Sequence, residues 1–224
     1  MKQTCITCMC LLALFILASC SIDSPQGQDD IYYKFEDGDK NLMLNYDYKP
    51  DEIVTYQNQY GETLHFKVLS NISKKKGKYK SGFLGSYLEY YYDSKIVRFE
   101  IIENNASFSD SQLIYIFSKS DGLFKNAINF PLWNKTYHTF IDNMDSPMNV
   151  NLRNYNNEYR EILTINGHLF RNVVRVNSSS DEPLYIIYGS DLQRNVNKLF
   201  YDYDFGVIQF DDIEGNTWKV IYPG

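Results

Sequence analysis

Three features of this 224-residue chain predict an all-β fold, an antiparallel meander that forms a barrel or a two-layer sandwich. Runs rich in Tyr, Phe, Ile and Val recur at short intervals, Gly- and Asn/Asp-containing turn signals separate them, and sustained helical periodicity is nearly absent. The aromatic share is 16%, with 20 Tyr and 14 Phe against 2 Trp. Such residues suit the half-buried surface of a pleated sheet.

The chain opens with a different pattern. Residues 1–19 carry one cation, Lys2, a short polar stretch and the apolar run Met9–Ala18. That run is half the roughly 20 residues a membrane-spanning helix needs, so it reads as a signal peptide. It ends in Leu17-Ala18-Ser19-Cys20, small residues before a cysteine directly after an apolar core. This resembles the lipobox of bacterial lipoproteins. The resemblance implies cleavage before Cys20 and acylation of its thiol and new amino group, with palmitate-type chains holding the protein to a membrane. Cleavage removes Lys2 and no acid, leaving 205 residues with a formal charge of −7. Cys5, Cys8 and Cys10 leave with the leader, so no thiol remains for a disulfide and core packing alone must hold the exported domain. Ordinary secretory cleavage near Ser19, with Cys20 incidental, is the alternative. Residues 20–30 (Cys20, then SIDSPQGQDD) lack an apolar pattern and read as the lipidated N-terminus and a flexible tether. Residues 31–224 form the predicted all-β domain.

Expected strands, in order, are Ile31–Phe35, Leu42–Tyr46, Ile53–Gln57, Thr63–Leu69, Ser86–Tyr92, Ile96–Ile102 and Leu113–Phe117. Thr136–Ile141, Tyr159–Ile165, His168–Val176, Leu184–Tyr188, Lys198–Tyr203, Gly206–Phe210 and Thr217–Tyr222 follow. Asp37-Gly38, Tyr60-Gly61-Glu62, Asp93-Ser94-Lys95, Asp121-Gly122, Asn166-Gly167 and Glu214-Gly215-Asn216 read as turns between them, since Gly and Asn supply the positive φ that tight hairpins need. Asp110–Phe117 fits a short helix or a strand, and Ser190–Val196 a helical turn or a loop. Strict alternation in Thr63–Val68 puts Leu64, Phe66 and Val68 on one face and Thr63, His65 and Lys67 on the other, a sheet with one wet side. Tyr92–Glu100 can be laid over Tyr203–Asp211, and Gly61–Leu64 over Gly167–Phe170. Two similar hairpin-rich halves would explain this, and chance likeness between hairpins would too.

The C-terminal third carries Ile165-Asn166-Gly167-His168-Leu169-Phe170-Arg171-Asn172-Val173, then Leu199–Tyr203, Asp204-Phe205-Gly206-Val207-Ile208-Gln209-Phe210 and Gly215-Asn216-Thr217-Trp218-Lys219-Val220. Together with the lipobox, this outline from Tyr159 to Tyr222 resembles uncharacterised cell-envelope lipoproteins of Gram-negative bacteria. The resemblance implies an extracytoplasmic lipoprotein with a β fold and brings no activity or catalytic residues.

Chemistry-bearing motifs are sparse. The net charge of −6 argues against nucleic acid as a partner. His65, His138 and His168 lack ligand spacing, so no metal or other cofactor is expected. No nucleophile elbow occurs, and the acids Glu100, Glu103, Asp211, Asp212 and Glu214 read as solvated turn residues. The pair Asp202 and Asp204 lacks the ligand count of a calcium loop. One charge run stands out: Lys74, Lys75, Lys76, Lys78 and Lys80, five lysines in seven residues of an acidic chain. It reads as a mobile loop, simply solvated or able to touch an anionic surface. Tyr87, Tyr90, Tyr91, Tyr92, Tyr201, Tyr203 and Tyr222 suit sugar or protein recognition, or plain packing on a sheet.

The expected function is therefore that of a non-enzymatic outer-membrane lipoprotein. It is tethered through Cys20 and presents a β domain to an envelope protein or glycan. The alternatives are a carbohydrate-active hydrolase whose carboxylates converge only in the fold, and a barrel holding an apolar ligand.

Overall fold

The computed structural model describes residues 30–83, 85–104, 112–134, 139–140, 147–148, 150–178 and 192–223. Met1–Ile31 and Tyr32–Gly224 are separate units, and the sheet lies in the second. Its elements are β1 (Tyr32–Tyr33), helix α1 (Asp37–Lys40), β2 (Ile53–Gln57), β3 (Thr63–Gly82), β4 (Gly85–Ile101), β5 (Gln112–Ser118) and β6 (Lys125–Asn129). The short β7 (Thr139–Phe140), β8 (Pro147–Met148) and β9 (Val150–Asn151) follow. The chain then forms β10 (Glu161–Ile165), β11 (His168–Asn177), β12 (Val196–Asp202), β13 (Gly206–Asp212) and β14 (Thr217–Ile221).

The main sheet has the order β10-β11-β12-β13-β14-β2-β3-β4-β5-β6-β9 and curls into a half-barrel. Every neighbouring pair in that order is antiparallel. It comprises two five-stranded meanders, β2–β6 and β10–β14, joined where Val220 of β14 pairs with Tyr56 of β2. Beyond β6, Trp133 bridges to Val196: Val196 N donates to Leu132 O (2.9 Å) and Asn134 N to Val196 O (2.7 Å). This draws the β6 side of the order to β12.

The predicted alternation is present. Leu64, Phe66 and Val68 are buried on the concave face with Val54, Tyr56, Val97 and Phe99. Phe66, Phe99, Phe117, Phe130, Tyr201, Phe205 and Phe210 fill that concavity, each at most 2% exposed. Buried tyrosine hydroxyls find partners on β13 and in the turn before it: Tyr56 donates to Val207 O (2.7 Å), Tyr48 to Phe205 O, and Tyr115 accepts from Val207 N (3.0 Å). These bonds satisfy groups that burial would otherwise penalise.

Several expectations are corrected. Ser86–Tyr92 and Ile96–Ile102 are one strand, β4, and Asp93-Ser94-Lys95 lies inside it rather than at a turn. The lysine run is no loop: Lys74, Lys75, Lys76, Lys78 and Lys80 all lie on β3, paired residue by residue with β4. Leu42–Tyr46 is irregular because its main chain serves another purpose: Asn45 N and Tyr46 N both donate to Asp204 O (3.0 and 2.8 Å). Asp37-Gly38 opens α1 instead of a hairpin, since Glu36 and Asp39 form a reciprocal capping box. Strand β6, KNAIN, was not anticipated, because its polar residues mask the strand pattern. Asp110–Phe117 resolves as a strand from Gln112 on, and Leu184–Tyr188 lies outside the described residues. The two overlays fall differently: Gly61–Leu64 and Gly167–Phe170 each form the first turn of a meander and the start of its second strand, whereas Tyr92–Glu100 runs within β4, the third strand of its meander, and Tyr203–Asp211 is the β12–β13 turn and β13, the fourth.

Candidate functional site

Three surfaces carry the chemistry of this domain. The first is a cleft of about 460 Å³ where the β12–β13 turn meets the start of β11, residues 45–47 and Tyr222. Its floor is aromatic. The His168 ring lies flat on Tyr222, centroids 3.5 Å apart and planes 11° apart, while Tyr222 packs against Phe205 (5.1 Å) and edge-on to Phe170 (5.9 Å). Tyr46 adds an edge contact to Phe205 at 5.0 Å. The rim is polar: Asn45, Asp47, Arg171 and Asp204.

The acids of this cleft are engaged in building it. Buried Asp202 accepts the main-chain N–H groups of Asn172 (3.1 Å), Asp204 (2.9 Å) and Phe205 (3.0 Å). Burial raises its carboxyl above the usual range, and those three amides pull the other way. Asp204 accepts from the Nδ2 of Asn45 (2.6 Å) and of Asn172 (2.8 Å). Tyr46 donates to Glu52 (2.6 Å), and burial followed by that carboxylate pushes its hydroxyl well up.

The second surface is a cleft of about 520 Å³ between the β2–β3 and β13–β14 turns and the start of β12. Leu64, Leu132, Phe210 and Trp218 give it an apolar wall, with Trp218 stacked on Phe210 at 5.9 Å and 14°. Its acids are likewise occupied. Asp212 accepts from Asn216 N and Nδ2 (both 2.8 Å) and from Trp218 Nε1 (3.4 Å). Glu62 accepts from Asn58 Nδ2 (2.6 Å), and Glu214 from Asn195 Nδ2 (2.5 Å).

The third surface is a lysine-bearing arm. β2 pairs with β3 only as far as Lys67, and β5 with β4 only back to Ser94, the partner of Lys74. Past that point the β3–β4 hairpin continues to Gly82 and Gly85, eight residue steps from Lys74, or roughly 27 Å. Lys74, Lys76, Lys78 and Lys80 alternate onto one face, spaced roughly 7 Å apart. Lys75 points the other way and sits over the rings of Tyr91 (3.7 Å) and Tyr32 (4.5 Å). Lys80 approaches Glu89 at 3.9 Å, whereas Lys74 and Lys78 have no ion pair among the described residues. Phe83 at the tip is fully exposed, with Tyr79 (61%) and Tyr87 (54%) beside it.

The base of the arm is clamped. β1 pairs with Tyr91 and Tyr92, Tyr32 donates to Asp93 Oδ1 (2.5 Å), and Phe35 N donates to Asp93 Oδ2 (2.9 Å). Buried Lys119 pairs with Asp39 (2.7 Å) and Glu36 (3.5 Å), and Tyr90 donates to Asp121 (2.5 Å).

Of the tyrosines singled out in the sequence, Tyr90, Tyr92, Tyr201 and Tyr203 are buried in packing, Tyr87 is exposed, and Tyr91 and Tyr222 lie between. His65 forms a half-exposed pair with Glu103 (2.5 Å), and His138 and Cys20 lie outside the described residues. The stack of His168 on Tyr222 joins residues 54 apart and had no local signal. Among the described residues no group of three or more His, Cys, Asp or Glu could hold a metal ion, and no helix is long and apolar enough to cross a membrane. No family model, curated protein or solved structure matches this chain.

Proposed function

We propose that this chain is a cell-envelope lipoprotein, held at the outer membrane through an acylated Cys20, whose half-barrel binds a glycan or protein of the envelope. The anchor rests on Leu17-Ala18-Ser19-Cys20 after its apolar run. The observation that carries the binding role is the His168–Tyr222 stack in a cleft of about 460 Å³ rimmed by Asn45, Asp47, Arg171 and Asp204. Flat apolar ring faces beside hydrogen-bonding groups suit a sugar ring or a peptide side chain, and the volume fits ordinary ligand clefts.

Two facts favour binding over the other readings. A hydrolase needs carboxyls free to face the substrate, and Asp202, Asp204, Asp212, Glu62 and Glu214 accept hydrogen bonds from their own neighbourhood. A ligand held inside the barrel needs space that Phe66, Phe99, Phe117, Phe130 and Phe210 occupy.

The test has two arms. Metabolic labelling with an acyl-chain probe should mark the wild type and not Cys20→Ala; equal labelling of both overturns the anchor. Binding to an array of envelope glycans, and crosslinking to envelope proteins in intact cells, should be lost in Tyr222→Ala and His168→Ala while folding is retained. Ligand capture that survives both substitutions overturns the cleft assignment.

A further inference from the structure

We propose that the β3–β4 arm is a membrane-contacting element that seats its lysine face on anionic phospholipid headgroups and its aromatic tip at the interface, in the membrane that holds the N-terminus. This rests on the Cys20 anchor reading and extends it to orientation.

β1 pairs with β4 in parallel, Tyr32 with Tyr91 and Tyr33 with Tyr92. β4 runs from the tip at Gly85 down to Ile101, so the N-terminal end of β1 faces the arm's tip. Tyr91 is six residues from Gly85, which puts Tyr32 roughly 20 Å from the tip along the strand. Twelve residue steps from Cys20 to Tyr32 span at most about 43 Å when fully extended. Contour length therefore allows a membrane holding Cys20 to meet the arm's tip. The turn Tyr60–Glu62 lies at the opposite end of β3.

The domain is acidic overall, yet the hairpin that extends past β2 and β5 carries five lysines, four of them at alternate positions on one face. Their long stems can lie along the arm while the ammonium groups reach headgroups. The arm ends in fully exposed Phe83 between Tyr79 and Tyr87, the pairing of basic stripe and ring-bearing tip that interfacial elements use. Backbone pairing from Lys74–Ser94 to Gly82–Gly85 and the clamped base fix the main chain that carries the lysines before contact, so little backbone ordering entropy opposes binding.

The experiment uses the full chain, expressed with its leader, purified from membranes and reconstituted into vesicles of phosphatidylethanolamine with or without phosphatidylglycerol. With Cys20 acylated, Phe83→Cys provides a single thiol for a polarity-sensitive fluorophore, and Tyr60→Cys provides the control at the far end of β3. Mass spectrometry of the N-terminal peptide decides the anchor separately. The Phe83 probe should shift to the blue only in vesicles containing phosphatidylglycerol, lose the shift at high salt, and leave the Tyr60 probe unchanged. Each lysine removed should lower partitioning of the arm about fivefold, so Lys74→Gln, Lys78→Gln and Lys80→Gln together should lower it about a hundredfold. An acylated, vesicle-bound protein whose Phe83 probe stays aqueous overturns the arm assignment and leaves the anchor standing. An unacylated N-terminus refutes the anchor; a blue shift that persists on added anionic vesicles then still supports the arm, and its absence overturns both.

Discussion

Gly206→Ala is the sharpest test of how the half-barrel holds the turn that shapes the first cleft. Gly206 begins β13 with φ +112°, a conformation that side chains rarely adopt. A Cβ there would stand 2.8 Å from the Tyr115 hydroxyl oxygen and 3.0 Å from its ring carbon. The backbone strain costs about 1–3 kcal/mol. Moving Tyr115 away breaks the bond that Val207 N donates to it (3.0 Å) and leaves a buried N–H without a partner, a further cost of about 1–3 kcal/mol. The expected loss is about 2–6 kcal/mol, a large share of a typical domain's stability. Gly215→Ala is the matched control. Its φ is +89°, but nothing lies within 4 Å of the added Cβ, so it should lose only the strain, about 1–3 kcal/mol. Urea unfolding followed by tryptophan fluorescence measures both. Equal losses in the two variants would show that the Tyr115 contact contributes nothing, and the account of the β13 turn would fall.

Three further outcomes follow from the core and its edges. The Tyr201 hydroxyl is buried without a hydrogen-bond partner among the described residues, so Tyr201→Phe should leave stability unchanged or raise it by about 1 kcal/mol in thermal unfolding; a loss above about 1 kcal/mol would mean the oxygen has a partner. Lys119→Met strips Asp39 of its buried counter-ion and should cost about 3–5 kcal/mol, with part of the loss recovered in Lys119→Met/Asp39→Asn; additive losses in a double-mutant cycle would refute the pairing. Burial pushes the Glu103 carboxyl up, but the His65 amide and ring outweigh it and hold the pKa below its ordinary value. The folded pKa is thus the lower one, so the stability from this pair is present above the unfolded value and is lost as pH falls through the folded one. Glu103→Gln should flatten that acid limb in pH-dependent urea midpoints, and an unchanged limb would assign it elsewhere.

How much of this was legible in the sequence depends on where each signal resides. Ile53–Gln57 matched to the residue because its alternation is local and its burial one-sided. Asn166-Gly167 took φ values of +48° and +84°, as a tight hairpin demands. Lys125–Asn129 escaped because its two buried asparagines donate to distant groups: Asn126 Nδ2 to Leu42 O and Asn156 Oδ1, and Asn129 Nδ2 to Gln112 O. No window of sequence contains those partners. Leu42–Tyr46 failed in the opposite sense, having strand-like residues but a main chain claimed by Asp204, 159 positions away from Asn45. The first cleft was illegible for the same reason, since its floor joins His168, Phe205 and Tyr222 from three separate strand ends.

The lysine run shows why reading residue type correctly can still miss what a segment does. Like charges and a glycine suggest repulsion and mobility when taken as a string. On the strand they are two-residue neighbours roughly 7 Å apart, where repulsion between solvated charges is only about 0.6 kcal/mol per pair. The facing strand supplies Tyr91 for Lys75 and Glu89 for Lys80. Even Gly77 fits: a Cβ there would press on Leu88 and Tyr79 at 3.0 Å, so glycine lets those side chains close over the face opposite the lysine row. A loop would scatter five charges over many conformations and would have to gather them at a surface. A hairpin keeps them in one row, aimed along the same axis as β1.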